Sequence, residues 1–371
     1  MAKKITIAVL GSHSALDVCR GAKDLGFNTL VIAEKGREKT YTEYYKTVGS
    51  STSSGRASLG CVDEVIVVDK FSDIIKLEVQ RKLLAQNSIF IPHRSFEVYV
   101  SDYEAIEKKF KVPIFGNKFL LRFEERTEKP NQYDLLQAAG IKYPKIFKSY
   151  KDIDRLVLVK VSEKSRGFER AFFIADSPAE YKTESAKMIR RGIITKEALE
   201  SAVIEEFILG VQVNFNFFYS VVNERLELIG TDARRQTDLD GLLKLPEYWQ
   251  RKIKSVQKRI KQEEAGHMAV TILESMLEQA LEMGEKFMTA AKEMKSPGVI
   301  GPFSLQTCIT PGPPKKDIIV FDVSPRMPGS PGISATPYSG YLYGENLSMG
   351  KRIAMEIKQA MKKGKLKSLL T

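Results

Sequence analysis

The chain has only three histidines in 371 residues, and two of them stand where a sheet would present them to a ligand. His13 lies in Gly11-Ser12-His13-Ser14, directly after the apolar run 5–10, and His93 lies in IPHRS, after the run SIFIP. Both runs read as strands of one open α/β sheet, whose ligands gather at the carboxyl ends of the strands. A neutral imidazole there can act as a general base or a hydrogen-bond donor near pH 7. Ser12 or Ser14, with the amides of the helix that follows, could hold a phosphate. Arg94 and Ser95 share the rim. Taken one at a time, a capping His13 and a packed His93 explain these residues better; the shared rim brings the two readings level.

A second set is spread along the chain. Lys160 sits in a strand followed by the polar loop 162–170, and Glu205-Glu206-Phe207-Ile208-Leu209-Gly210 comes next. Much later, GPFSLQ and VFDVSPR place Gln306 and Asp322 on neighbouring strands. A lysine beneath a loop can hold α- and β-phosphates. A strand with backbone groups and a carboxylate can read adenine and ribose. An acidic residue on a later strand can hold Mg²⁺ against phosphates. Each piece alone is common in structural sheets; their order carries the signal.

The elements that must position these groups follow from periodicity. Continuous apolar runs at 5–10, 28–33, 65–68 and 88–92 alternate with helical spacing, as in 15–25, where Gly26 stops the helix. That order predicts a small parallel sheet over the first 110–120 residues. The Gly/Ser-rich stretch GSSTSSGRASLGC between the second and third runs reads as a surface loop or lid. The segment from Arg122 to Lys145 reads as a helix ended by Gly140. Strands are predicted at 156–161, 171–175, 203–209, 214–222, 225–231 and 318–323. One long amphipathic helix is predicted over 268–292, with Leu273, Leu277, Leu281 and Phe287 on its buried face, and a last helix over about 348–362. The resulting division is 1–120, 121–202 and 203–371.

Composition excludes several classes. Apolar residues make up 43% and charged residues 28%, the balance of a folded chain rather than a disordered one. No stretch approaches the roughly 20 apolar residues of a membrane helix, and the N-terminus reads as a first strand rather than a signal peptide. The three scattered cysteines offer neither a disulfide framework nor zinc spacing, so a cytoplasmic location is expected. The net charge of +12 favours polyanions, but without a nucleic-acid signature the basic runs read as solvated helix faces.

The order of parts resembles the ATP-grasp superfamily. TIAVLGSHSAL, IPHRSF, VPIFGNKFLLRFE, IEEFILG, LELIGTDARR, IGPFSLQ and PYSGYLYGENLSMGKRIAMEIKQAM resemble the archaeal formate-dependent FAICAR synthetases over nearly the whole chain. FAICAR is 5-formaminoimidazole-4-carboxamide ribonucleotide. The resemblance implies an α/β (ATP-grasp) fold: a Rossmann-like parallel-sheet N-terminal domain plus a two-part ATP-grasp domain. It also implies a ligase that activates formate with ATP and Mg²⁺ (or Mn²⁺) and formylates AICAR, the 5-aminoimidazole-4-carboxamide ribonucleotide. ATP, formate and AICAR are then the partners, with no nucleic acid or membrane, in a homo-oligomer. By the same resemblance His13, Ser95 and Asp238 contact AICAR, and Lys160, Glu205, Glu206 and Phe207 bind the nucleotide. Gln306 and Asp322 hold the metal, and Arg326 joins His13 in catalysis by binding oxygens of the transferring group. The chain departs from the family in the lid loop SEKSRGFER, which has one glycine, at Asp238 in place of an asparagine, at Gln306 and the shorter Asp322 in place of two metal carboxylates, and at 324–330, where the family has SAR-GGTN. The alternative reading is a divergent ATP-grasp paralogue that uses another carboxylate and amine or binds nucleotide without catalysis.

Overall fold

The computed structural model describes residues 4–48, 59–161, 172–256, 264–312 and 314–371, without the side chains of 238, 239, 242 and 252–256. Thirteen strands among the described residues form three sheets. The first contains β1 (Thr6–Leu10), β2 (Asn28–Glu34), β3 (Glu64–Val68) and β4 (Ser88–Phe90). It is wholly parallel, in the order β3-β2-β1-β4. All five residues of β1 are buried, as its unbroken apolar run requires.

The second sheet contains β5 (Ile146–Phe147), β6 (Val157–Lys160), β7 (Phe172–Ala175) and β8 (Val203–Glu206), antiparallel in the order β5-β8-β6-β7. β8 therefore belongs with the strands before it, and a boundary at 202/203 cuts this sheet. The third sheet contains β9 (Val211–Ser220), β10 (Arg225–Gln236), β11 (Glu264–Ala269), β12 (Gly301–Thr310) and β13 (Asp317–Ser324). Its order is β11-β10-β9-β12-β13, antiparallel throughout.

The two faces of the third sheet differ in chemistry. Phe215, Phe217, Phe303, Leu305, Val320 and Val323 pack with Ala280, Met283 and Phe287 of the helix Leu277–Met294. Strand alternation sends Asn214, Asn216, Ser304, Gln306, Asp322 and Ser324 to the other face. That polar face is where the strands offer chemistry.

Two helical expectations need correction. The segment predicted as one helix over 268–292 splits into β11, a 3-10 turn Glu274–Met276 and the helix Leu277–Met294. The β-branched run Val270-Thr271-Ile272 follows strand pairing instead, and the Val270 amide donates to the Thr231 carbonyl at 3.3 Å. Leu273 and Leu281 consequently lie at the surface. Likewise the helix read from 122 to its stop at Gly140 is confined to Gln132–Ala138, preceded by the 3-10 turn Lys118–Glu124. Pro130 lacks the amide a helix interior needs. Asn131 caps the new start, its Oδ1 accepting from the Tyr133 amide at 2.9 Å while Asp134 accepts from the Asn131 amide at 2.8 Å.

The end of the chain returns to its beginning. The helix Met349–Lys362 packs on the helix Ala15–Asp24, and Met349, Ile353, Ile357 and Leu369 complete the core under β1. Gly21 and Gly350 permit this contact: a Cβ on Gly21 would lie 2.2 Å from the Lys351 nitrogen, and one on Gly350 2.2 Å from the Asp17 carbonyl oxygen. The amides of Ile114 and Thr371 each donate to the other's carbonyl at 3.0 Å. The span 203–371 is thus not one packing unit.

Candidate active site

The loop after β1 holds His13 in the left-handed region, at φ 55°. Its ring stacks on His93, with centroids 5.5 Å apart and planes 11° from parallel. His93 Nε2 donates to the Leu10 carbonyl at 3.0 Å, and its Nδ1 accepts from the Ser95 amide at 3.3 Å. These partners fix the neutral tautomer with hydrogen on Nε2. Burial pushes His93 down to about 4. Burial, reinforced by His93 and Arg326, pushes His13 down to about 2. Such weakly basic rings make poor proton acceptors near neutrality. They are suited to hydrogen bonding in a fixed orientation.

The chain leaving β13 closes this rim. His93 forms a bridge with Met327, Ser14 Oγ donates to the Pro328 carbonyl at 2.7 Å, and Gly329 lies against the His13 ring. The structure thus brings His13, His93 and Ser95 together with Arg326. It does not leave Arg326 facing a cleft. The Arg326 guanidinium is buried against Glu124, at 2.6 and 3.1 Å, and Glu97, at 3.3 Å, and also donates to the Met327 carbonyl at 3.0 Å. These partners tie Arg326 to the exit of β13. Burial, then the neighbouring Glu124, raises Glu97 to about 8. A carboxyl kept protonated there is compatible with only partial charge balance from Arg326 and Arg94.

The second sheet carries Lys160 at the end of β6. Lys160 pairs with Glu205 across β6 and β8, and Tyr133 donates to the other Glu205 oxygen at 2.8 Å. Its ammonium lies 5.7 Å from the Phe321 ring centroid, next to Asp322 in sequence. Glu206 turns to the opposite face of β8, accepting from Arg155 at 3.2 Å and the Lys145 amide at 3.3 Å. The two side chains of this segment thus face opposite sides of the sheet. Phe207 is half-buried, and its amide donates to the Leu156 carbonyl at 2.9 Å.

Gln306 and Asp322 are direct partners in the β12–β13 register. Gln306 Oε1 is buried without a hydrogen-bond partner, while its Nε2 makes only a 3.5 Å contact with Ser324 Oγ. Asp322 Oδ1 accepts from Arg126 Nη2 at 2.8 Å. Burial alone would raise the Asp322 carboxyl, but Arg126, Lys160, Arg234 and Arg94 outweigh it and hold the group below its usual range. A carboxylate beside an orphaned amide oxygen is a hard-oxygen donor set. It fits Mg²⁺, which takes few protein ligands and completes its octahedron with water and phosphate.

The third histidine escaped sequence reasoning. His267 of β11 is held between Asp232 and Glu264, with Nε2 2.8 Å from Glu264 Oε1. Asp232 also accepts from Asn214 at 2.8 Å and Asn216 at 2.6 Å. Burial would lower His267, but the two carboxylates raise it to about 9, so it is an imidazolium at neutrality. Ser330 Oγ, next to Gly329, lies 3.2 Å from its Nδ1 and ties it to the His13 rim. No spacing pattern marked His267, because its partners come from strands far away in sequence. Asp238 lies on the helix Thr237–Leu242 with its side chain outside those described, and the lid loop 162–170 lies outside the described residues.

Residues 180–371 match a domain of unknown function, DUF1297, and residues 7–147 match a protein family of unknown function, DUF1246. A 5-formaminoimidazole-4-carboxamide-1-β-D-ribofuranosyl 5′-monophosphate synthetase of Methanopyrus kandleri is 38% identical over 367 residues, covering 99% of this chain and 95% of the relative. The crystal structure of an IMP biosynthesis protein PurP from Thermococcus kodakaraensis superposes with a TM-score of 0.71 at 27% identity, covering 98% of this chain and 100% of that one. N5-carboxyaminoimidazole synthetase from Staphylococcus aureus gives a TM-score of 0.55 at 13% identity, over 93% and 78% of the two chains, and shares the ATP-grasp fold.

Proposed function

This chain belongs to the family of 5-formaminoimidazole-4-carboxamide ribonucleotide synthetases, and from that premise we propose that it is an ATP-dependent C–N ligase that formylates AICAR in purine biosynthesis. The observation that carries the reading is the meeting of two surfaces through the exit of β13. The His13–His93–Ser95 rim bridges to Met327, five residues beyond Asp322 of the polar sheet face.

Formate oxygen attacks the terminal phosphorus of ATP, and the bond from phosphorus to the bridging oxygen breaks with departure of ADP. The AICAR amine then attacks the formyl carbon. A C–N bond forms, the C–O bond to phosphate breaks, phosphate leaves with the electron pair, and the amine proton passes to solvent. In this reading Lys160 binds the nucleotide phosphates, and Tyr133 orients its partner Glu205. Asp322 and Gln306 would hold a divalent cation, Mg²⁺ or in its place Mn²⁺, which neutralises phosphate charge when bound. His13 and Ser95 orient AICAR by hydrogen bonds, with the rigidity that stacking and burial give the rings.

The test is product analysis with ATP, formate and AICAR supplied together and with each omitted. FAICAR and ADP should form in equal amounts only in the complete mixture. ADP release indifferent to both formate and AICAR would contradict the reading.

A further inference from the structure

Arg126 occupies an unexpected place for an arginine. It follows the 3-10 turn Lys118–Glu124 and reaches across to β13, where its Nη2 donates to Asp322 Oδ1 at 2.8 Å. Asp322 is the one carboxylate of the Gln306–Asp322 pair. Arg126 Nε is buried and has no hydrogen-bond partner, although such a donor is costly to leave unpaired. Its neighbours sharpen the point. Gln306 Oε1, across the strand pair from Asp322, is likewise buried and unpartnered. An arginine serving only as a strut would be expected to satisfy its donors, as Arg326 does against Glu124, Glu97 and the Met327 carbonyl.

A guanidinium in contact with Asp322 repels a divalent cation arriving at the same carboxylate and competes with it for the lone pairs of Oδ1. We propose that Arg126 is a charge-balancing placeholder at Asp322 that a divalent cation displaces and that then turns its guanidinium to the phosphate oxygens arriving with that cation. The inference rests on the reading of Asp322 as a metal carboxylate. The exchange has a physical rationale. Asp322 is half-buried and feels the charges of Lys160, Arg94 and Arg234 as well as Arg126, so its charge stays compensated at every stage. The released guanidinium offers a planar fork that matches phosphate, and its unpaired Nε supplies one arm of that fork. Arg126 thereby opposes binding of the metal alone and favours binding of the metal with its polyphosphate.

The experiment measures Mn²⁺ binding by electron paramagnetic resonance, with and without ATP, for the unmodified protein and four variants. Arg126→Gln, and Arg126→Met as a second variant that keeps the aliphatic stem, should tighten Mn²⁺ binding without nucleotide by about fivefold or more, because a competitor is gone. The same variants should weaken binding of the Mn²⁺–ATP pair by about tenfold. Arg126→Lys, which retains the charge, should leave binding of Mn²⁺ alone within about twofold of the unmodified protein. Asp322→Asn should abolish it. Unchanged or weaker binding of Mn²⁺ alone in both Arg126→Gln and Arg126→Met, with Asp322→Asn still abolishing it, would overturn the placeholder and leave Asp322 as a metal carboxylate. Mn²⁺ binding untouched by Asp322→Asn would overturn both.

Discussion

The rim around His13 and the polar face around Asp322 use opposite electrostatic devices within one site. At the rim, burial strips charge from the rings of His13 and His93 and closes Arg326 on Glu124. At the polar face, charge is concentrated: Lys160, Arg126, Arg94 and Arg234 converge electrostatically on Asp322, and polar atoms of Arg126 and Gln306 stay unpartnered. A neutral heterocycle is held well by fixed hydrogen bonds and shape, whereas a transferring phosphoryl group needs countercharge at its oxygens. One chain builds both by covering one set of strand ends and leaving the other polar.

The strongest way to break this contrast is to remove the charge that defines the polar face. Asp322→Asn should lower FAICAR formation by about a thousandfold or more, while AICAR binding measured by calorimetry stays within about twofold of the unmodified protein, because the rim is untouched. Equal losses in both measurements would mean that the two regions are not separable.

The rim can be broken without touching any charged group. A Cβ on Gly329 would fall 2.1 Å from His13 Cε1, so Gly329→Ala must turn that ring. AICAR affinity should fall by about tenfold to a hundredfold, with ATP affinity unchanged by calorimetry. Unaltered AICAR binding would show that the orientation of His13 is immaterial.

Adding charge to the polar face is the milder converse. Gln306→Glu places a second carboxylate beside Asp322 and should lower the half-saturating Mg²⁺ concentration for turnover by about fivefold. A magnesium dependence left in place would remove Gln306 from the metal site.

The smallest effect is thermal. His267 at about 9 and Glu97 at about 8 both keep a proton in the folded chain that the unfolded chain releases earlier. Their contribution is therefore full below the unfolded values and is lost as pH rises through 8 and 9. His13 and His93 act in the opposite sense, since the unfolded rings take up protons near 6.5 that the folded ones refuse down to about 4 or below. Their contribution is lost as pH falls from 6.5. The alkaline fall in Tm should shrink in His267→Gln by about 2 °C, and the acid fall should not change. An alkaline limb identical in that variant would mean that the His267 pair with Asp232 does not stabilise the fold.

Sequence reading found what depends on short-range pattern. The buried run of β1, the turn bearing His13, the rim shared with Ser95 and the pairing of Gln306 with Asp322 all follow from strand alternation and strand ends. What it missed depends on contacts between distant segments. Arg326 reads as an available guanidinium until Glu97 and Glu124, more than 200 residues earlier, enclose it. His267 has no local signature because Asp232, Asn214 and Asn216 come from other strands. Alternation alone sends Glu205 and Glu206 to opposite faces of β8, but only the sheet shows that Glu205 meets Lys160 and Glu206 meets Arg155. The last helix joins the first core through a glycine contact that no periodicity announces.

The central claim is that formate is phosphorylated at the charged face before its carbon reaches the amine held at the rim. The most direct measurement supplies formate labelled with ¹⁸O in both oxygens, with ATP and AICAR, and follows the label into inorganic phosphate by mass spectrometry. The account predicts one ¹⁸O in each phosphate released and one in each formyl group formed. FAICAR formed alongside unlabelled phosphate would contradict it.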